Sequence, residues 1–231
     1  MSEFRHEYKY VCPLDKMVYI KNSVDALMEL DYHAREQGEY AVRSIYFDDY
    51  YDSCYKDNIY GVDPREKFRI RIYNGDSSKI TLELKQKQKS KTKKISCLLS
   101  REVCEEIING ELPDITAIDS VLYRKFCVQL QNRKLSPKVI VEYDRIPYVY
   151  GDGNVRVTFD KNIRSSNQCS DFLEQDLFFR PIMEMNKHLI EVKFDEFLPD
   201  FISQIVEHED LKQSSFSKYY LCRKYSLGGI I

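Results

Sequence analysis

REKFRIRIYNGDSSKITLELKQKQKSKTKK, residues 65–94, carries eleven Lys or Arg against three acids, Glu66, Asp76 and Glu83. The 231-residue chain has a formal net charge of only −2, so with this local excess of eight the remainder carries −10. A basic island in an otherwise acidic protein points to a focused anion site rather than a broad nucleic-acid surface. Inside the island the side chains alternate as they do on strands. Lys67, Arg69 and Arg71 oppose Phe68, Ile70 and Ile72; Lys79, Thr81, Glu83, Lys85 and Lys87 oppose Ile80, Leu82 and Leu84. Asn74-Gly75-Asp76 supplies the turn between these two strands, and Lys91–Leu98 reads as a third.

The same division recurs elsewhere in the chain. Arg5, Glu7 and Lys9 oppose Phe4, Tyr8 and Tyr10; Arg156, Thr158 and Asp160 oppose Val155, Val157 and Phe159; Glu191 and Lys193 oppose Ile190, Val192 and Phe194. An ordinary one-sided sheet turns a mixed polar face to water. Here nearly every such face is charged, and the apolar faces need a cover that helices can supply. A sheet curled with its apolar side outward would enclose the cations, and enclosed cations repel one another unless an anion or water lies among them. Phosphate chains suit such a space, because each guanidinium fork can take two oxygens. Glu7, Glu83 and Glu191 share the charged faces. Pairing with Lys and Arg is the expectation for Glu7 and Glu83, while for Glu191 pairing and metal ligation both stay open.

The remaining pattern predicts an α+β fold with about eight strands in a mainly antiparallel sheet, in one domain spanning residues 1–231. Strands are expected over 3–11, 42–48, 138–148, 154–163 and 188–194, with a hairpin around Gly151-Asp152-Gly153. Helices are expected over 15–30, 100–108, 118–131, 201–208 and 214–225, with a short helix or loop at 49–60. No apolar run reaches the ~20 residues that span a bilayer, and MSEFRHEYKY has no signal-peptide core, so the cytoplasm is the expected location. Seven cysteines without a CxxC pair suggest small buried hydrophobes rather than a disulfide framework or zinc site. His6, His33, His188 and His208 fit no triad or metal motif, and there is no Gly-rich phosphate loop, so side chains must hold any phosphate.

Several stretches, in order along nearly the whole chain, resemble the catalytic domain of vacuolar transporter chaperone (VTC) polyphosphate polymerases, in the triphosphate tunnel metalloenzyme superfamily. They are Arg5-x-x-x-Lys9, Ser44-Ile45-Tyr46-Phe47-Asp48, Lys67-Phe68-Arg69-Ile70-Arg71-Ile72-Tyr73, Leu82-Glu83-Leu84-Lys85 with Lys93-Lys94, and Tyr143-Asp144-Arg145. Val155-Arg156-Val157-Thr158-Phe159-Asp160, Ile190-Glu191-Val192-Lys193-Phe194 and Ser215-Phe216-Ser217-Lys218-Tyr219 continue the series. The resemblance implies an eight-stranded antiparallel tunnel with helices outside, in which the γ-phosphoryl of ATP passes to a growing polyphosphate chain. Lys9, Arg69, Arg71, Lys85 and Lys218 would be catalytic. Arg5, Lys67, Lys87, Lys94, Arg145, Arg156 and Lys193 would bind phosphates, and Glu191 would hold Mn²⁺ or Mg²⁺. The implied partners are ATP or another triphosphate, and polyphosphate. Eukaryotic relatives work with membrane subunits, which leaves a membrane partner open although this chain has no membrane segment of its own.

Some positions depart from the family. Ser215 stands where its polymerases tend to carry a second Lys. Register in the Lys-rich third strand leaves Lys93 as an alternative to Lys94. Arg145 falls on the alternation of Val141, opposite Glu142 and Asp144, so a bulge must turn it inward or it does not belong to the site. The hydrolase branch begins Glu-x-Glu-x-Lys, where this chain has Arg5-His6-Glu7-Tyr8-Lys9; one metal-directed carboxylate is replaced by a phosphate-directed cation, which favours the polymerase branch. The alternatives are a metal-dependent inorganic triphosphatase and a non-catalytic polyphosphate-binding domain. No nucleic-acid partner is expected, since the cation-rich faces carry few aromatics for stacking bases.

Overall fold

The structure, a computed structural model, describes residues 4–206 and 211–228. The predicted alternation is realised as strands β1 (His6–Pro13), β2 (Glu29–Leu30), β3 (Tyr40–Asp48), β4 (Arg65–Tyr73) and β5 (Asp76–Gln88). They continue with β6 (Lys91–Leu99), β7 (Ser136–Tyr150), β8 (Val155–Ser166), β9 (Arg180–Pro181) and β10 (Lys187–Phe194). All lie in one antiparallel sheet in the order β1-β10-β8-β7-β3-β4-β5-β6, with β2 on β7 and β9 on β8. The eight long strands curl until the first and last meet. Arg5 and Thr92 exchange two backbone hydrogen bonds of 2.8 Å, joining the start of β1 to β6. Below that bridge the edge of β1 is taken by Gln213–Ser214, whose Ser214 N–H donates to the Lys9 carbonyl at 2.8 Å.

The helices are α1 (Leu14–Asp25), α2 (Ser53–Ile59), α3 (Arg101–Ile108), α4 (Val121–Asn132), α5 (Asp200–Val206) and α6 (Lys218–Ser226). Ser100, Ser120 and Ser217 cap α3, α4 and α6 by accepting the backbone N–H three residues on, which satisfies a donor the helix leaves free. Two apolar layers lie outside the sheet. Phe68, Ile70, Leu82 and Leu84 pack under Val103, Ile107, Tyr123 and Phe126 of α3 and α4. Val157, Phe159, Ile190 and Val192 pack under Met17, Ile20, Val24 and Ile202 of α1 and α5. These layers are the cover the sequence required, and they leave the charged faces inside.

A third apolar cluster lies on the inner side. Val42, Tyr46, Val139, Val141, Tyr143 and Leu189 close around Tyr219 and Cys222 of α6, so the C-terminal helix fills one side of the interior. This resolves the position of Arg145. No bulge is needed between Val141 and Arg145: Val139, Val141, Tyr143 and Arg145 all face inward, and Glu142 faces outward to a buried pair with Arg43 at 2.5 Å. The bulge belongs to the β7–β8 pairing between Glu142 and Asp144, where β8 takes the extra residue and Asn162 adopts φ 50°.

Element ends differ from expectation where tertiary pairing intervenes. The helix predicted over 15–30 stops at Asp25, because Met28 turns into the outer core and Glu29–Leu30 pair with Val149 and Tyr148. The last helix starts at Lys218 rather than Ser214, since the preceding residues run extended beside β1. Residue 3 of the first predicted strand and residues 207–208 of the helix predicted over 201–208, His208 among them, lie outside the described residues. The Asn74-Gly75 turn forms as read, both residues at positive φ (52° and 67°). Gly153 is required where it stands: at φ 73° an added Cβ would sit 2.5 Å from the Phe197 carbonyl oxygen. All seven cysteines are free thiols.

Candidate phosphate-binding interior

Residues that pair across strands share a face, so the register places each charged side chain. Arg69 lies opposite Glu83 and Lys85 opposite Lys94, while Lys9 lies opposite Glu191 and Arg145 opposite Asp160. The interior cations therefore gather around four buried carboxylates. Glu83 accepts from Arg69 Nε at 2.7 Å and Lys94 Nζ at 2.9 Å, with Arg71 Nη1 at 3.6 Å. Glu7 receives Lys85 Nζ on both oxygens at 2.8 Å, with Lys9 at 3.2 Å and Lys193 at 3.5 Å. Asp160, fully buried, takes a two-pronged bond from Arg145 (2.7 and 2.8 Å) and Lys218 at 2.6 Å. Glu191 holds Lys193 at 2.6 Å, with Lys9 and Lys218 both at 3.9 Å.

Burial would raise all four carboxyl groups, and the surrounding cations outweigh it. Arg69, Arg71 and Lys94 hold Glu83 well below the usual carboxylate range. Lys193, Lys9 and Lys218 do the same to Glu191, and Glu7 and Asp160 are lowered likewise. For Lys85 and Lys67 burial wins instead, while Glu7 and Glu191 raise Lys9. Burial, with Lys9 and Lys193 nearby, pushes Lys85 down to about 7 against the pull of Glu7. Burial pushes Lys67 down to about 8.

Tyrosines line this interior more densely than the sequence suggested, and each carries a cation. Arg69 donates to Tyr46 Oη at 2.9 Å, and Arg156 to Tyr40 Oη at 3.0 Å. Arg145 and Lys218 lie over the Tyr143 ring, at 5.1 and 4.6 Å, and Lys67 lies 4.9 Å from the Tyr219 ring. The expectation of few aromatics among the cations is therefore corrected. Alternation did not reveal this for β3 and β7, where an apolar-looking face turns inward against α6. Tyr219 donates to Asp48 Oδ2 at 2.6 Å, and Asp48 also accepts the N–H groups of Cys54 and Tyr55, tying α6 to the start of α2.

Ten of the twelve cations named from sequence stand on the inner strand faces, Lys218 reaches the interior from α6, and Arg5 stands at the rim on Asp195 at 2.6 Å. Arg156 pairs with Asp31 at 3.1 Å and leaves its buried Nε without a hydrogen bond. Lys94 is the inward residue of its pair: Lys93 Nζ lies outside, 5.8 Å from the Phe4 ring. Ser215 is exposed. Asp160 was visible on its strand's polar face, but nothing local marked it as the clasp for Arg145 and Lys218.

For a metal the donor set is sparse. Among the described residues no group of three His, Cys, Asp or Glu could hold an ion. Glu191 and Glu7, linked through Lys9 and Lys193, fit instead an ion of the Mg²⁺ or Mn²⁺ kind, which takes one or two carboxylates and completes its shell with phosphate oxygens and water. No helix among the described residues is long and apolar enough to cross a membrane.

Known proteins support this architecture. A putative adenylate cyclase from Bacillus halodurans superposes with a TM-score of 0.58 at 15% identity, covering 94% of this chain and 95% of its own. A protein from Hippeastrum, described as a putative adenylyl cyclase with a dominant triphosphatase activity, gives 0.56 at 11% identity, covering 100% and 98%. At those identities the likeness is one of fold. No curated protein matches the sequence. The VTC domain model matches residues 4–227, and the chain belongs to that family, with the triphosphate tunnel fold.

Proposed function

We propose that this chain transfers the γ-phosphoryl group of ATP onto the end of a polyphosphate chain held in the cationic interior. The observation that carries this reading is the state of the four inner carboxylates. Each is clasped by cations and held below its normal range, so none is a good base toward water. Hydrolysis of a triphosphate gains from such a base. A polyphosphate end does not need one, because its attacking oxygen is already ionised. In the transfer, that oxygen bonds to the γ-phosphorus as the bond to the ADP oxygen breaks, and ADP leaves. Arg69, Arg71, Lys85, Lys9 and Lys218 would position the triphosphate and neutralise charge on its oxygens, which is most of what phosphoryl transfer asks of a protein. Glu191, with Glu7 beside it, would receive the divalent ion, which supplies further neutralisation of the phosphate oxygens.

A metal-dependent triphosphatase is the second reading, favoured by the activity in the description of the Hippeastrum protein. Incubation of the purified chain with labelled ATP and Mn²⁺, followed by one gel, separates the two. Transfer yields an acid-stable polymer and ADP; orthophosphate without polymer overturns the proposal in favour of hydrolysis. Glu191→Gln tests for an idle polyanion-binding domain: an enzyme loses turnover while keeping most of its polyphosphate binding, whereas a binding domain has no turnover to lose.

A further inference from the structure

Lys218 stands in the first turn of α6, where the helix dipole disfavours a cation, yet its Nζ is held in the interior 2.6 Å from Asp160. The helix must therefore be fixed firmly against the sheet. Three of its side chains do this from one side, since Tyr219 and Arg223 are four residues apart and Tyr220 and Arg223 three. All three meet the segment that leads from β3 into α2. Besides the Tyr219 bond to Asp48, the Tyr220 ring stacks on Tyr55 at 5.2 Å and 14°. Arg223 grips Asp52 with two prongs, Nε at 2.8 Å and Nη2 at 3.0 Å.

Asp52 is the unusual member of this set. It occupies the N-terminal cap of α2 with φ 54° and ψ 44°, a left-handed conformation that an Asp adopts at some cost. Asp is a favoured capping residue, yet this carboxylate makes no bond to its own helix. The free amides of α2 are satisfied from the preceding residues instead: Asp49 accepts from Ser53, and Asp48 from Cys54 and Tyr55. Both Asp52 oxygens are thereby left for Arg223, and the two side chains are only 16% and 13% exposed. An ion pair in open solvent contributes little, whereas a two-pronged one shielded from water holds a geometry. A strained residue that gives up its local role to reach another helix is set by what it holds rather than by α2.

We infer that Asp52 and Arg223 are positioning residues that act through Lys218, locking α6 so that its first turn carries the ammonium into the phosphate-binding interior. The inference rests on the proposed function only in taking Lys218 as a ligand of the phosphates. Tyr219, next to Lys218 and bonded to Asp48, is the pivot of the helix. The Asp52–Arg223 clasp, about one turn further on, fixes the direction in which the helix points from that pivot. Neither residue touches the interior itself; their effect on an anion passes through where Lys218 stands.

The test is the affinity for sodium tripolyphosphate, measured by calorimetry in a double-mutant cycle through Lys218. Asp52→Gly removes the carboxylate, while glycine takes the left-handed backbone without strain and so keeps α2. It and Arg223→Gln should each weaken binding about fivefold. On a Lys218→Ala background neither should weaken it further, because the clasp acts through that lysine. Arg223→Lys, which keeps a charge-assisted bond to Asp52, should weaken binding less than Arg223→Gln. Wild-type affinity in Asp52→Gly or Arg223→Gln overturns the inference, as does a Lys variant as weak as the Gln variant. The same loss on the Lys218→Ala background also overturns it, since a merely structural effect would persist there. A wild-type chain that binds tripolyphosphate but makes no polymer from ATP removes the transferase reading and leaves the clasp in place. One that binds no tripolyphosphate overturns both.

Discussion

On the β4–β6 wall, Arg69, Arg71 and Lys94 share a single carboxylate, Glu83, and all four come from three consecutive strands joined by short turns. On the β7–β8 wall, Arg145 and Lys218 share Asp160 and lie over the ring of Tyr143, and Lys218 arrives only when α6 docks inside the sheet. The first cluster is assembled by local hairpins, the second by a long-range contact. The first has three cations on one acid and retains a net positive charge for an anion. The second has two cations on one acid, deeply buried and more nearly balanced. Phosphate binding should therefore draw most on the first wall, and positioning of α6 on the second.

The largest expected effect breaks that division directly. Arg71→Ala removes a guanidinium that is only loosely engaged, at 3.6 Å from Glu83 and 3.0 Å from Ser44 Oγ, and so is free to turn its remaining donors to phosphate. Its loss should lower kcat/KM for the ATP reaction about a hundredfold or more, the usual consequence of deleting a donor aimed at developing charge. Asp160→Asn should act through Arg145 and Lys218 and lower kcat/KM by about tenfold. Equal effects from the two variants would erase the distinction between the walls.

Stability sharpens the same comparison. Glu83→Gln leaves Arg69 and Arg71 buried without their anion and should cost about 3 kcal/mol in denaturant unfolding, as breaking a buried pair from one side does. Tripolyphosphate should recover much of this loss, because it supplies the missing charge. Asp160→Asn should cost about as much, but recover less, since Asp160 is enclosed with α6 over it. The pH dependence has a defined sign. These carboxyls are lowered on folding, so their contribution is complete above about pH 4 and is lost as pH falls through their folded values. Each variant should flatten the acid limb of the wild-type stability curve; an unchanged limb would mean that other groups govern it.

The two walls also differ in how far they can be read from sequence. Alternation between Lys67 and Lys87 sets strand, face and charge together, because each hairpin partner is close in the chain and its apolar residues mark the outer side. For β7 the same rule misleads. Val139 and Val141 look like outer-core residues, and Glu142 and Asp144 like the polar face, yet α6 makes an apolar interior there and Arg43 and Arg164 satisfy Glu142 on the outside. The sign of that face depends on a helix some seventy residues away. Arg145 could be matched to a family motif but not oriented, and its clasp on Asp160 required the β7–β8 register. The closure between Arg5 and Thr92 was equally hidden, since a single bridge leaves no pattern in either strand.

A smaller effect follows from Lys85, which burial pushes down to about 7, and from Lys67, pushed down to about 8. Each ammonium is present below its value and lost above it. Polyphosphate affinity should therefore fall severalfold as pH rises from about 6 to 9, with the fall set by lysines of the β4–β6 wall. Lys85→Arg should flatten the profile, because a guanidinium stays charged throughout. A wild-type affinity that is level or rises over this range would show that neither lysine titrates in the free protein.

The smallest effect probes what the second wall has in place of excess charge. Tyr143 presents its ring to Arg145 and Lys218, and its hydroxyl lies 3.4 Å from Arg71 Nη2. That hydroxyl contact is long, so Tyr143→Phe should change triphosphate affinity by less than about twofold. Tyr143→Leu removes the ring from two cations and should weaken affinity by about fivefold, with kcat changed less than KM, since ring contacts to the cations persist through the reaction. If Phe were as damaging as Leu, the hydroxyl would be the active feature and Tyr143 would belong with the phosphate donors of the first wall. If both were silent, Asp160 alone would suffice to hold Arg145 and Lys218 in place.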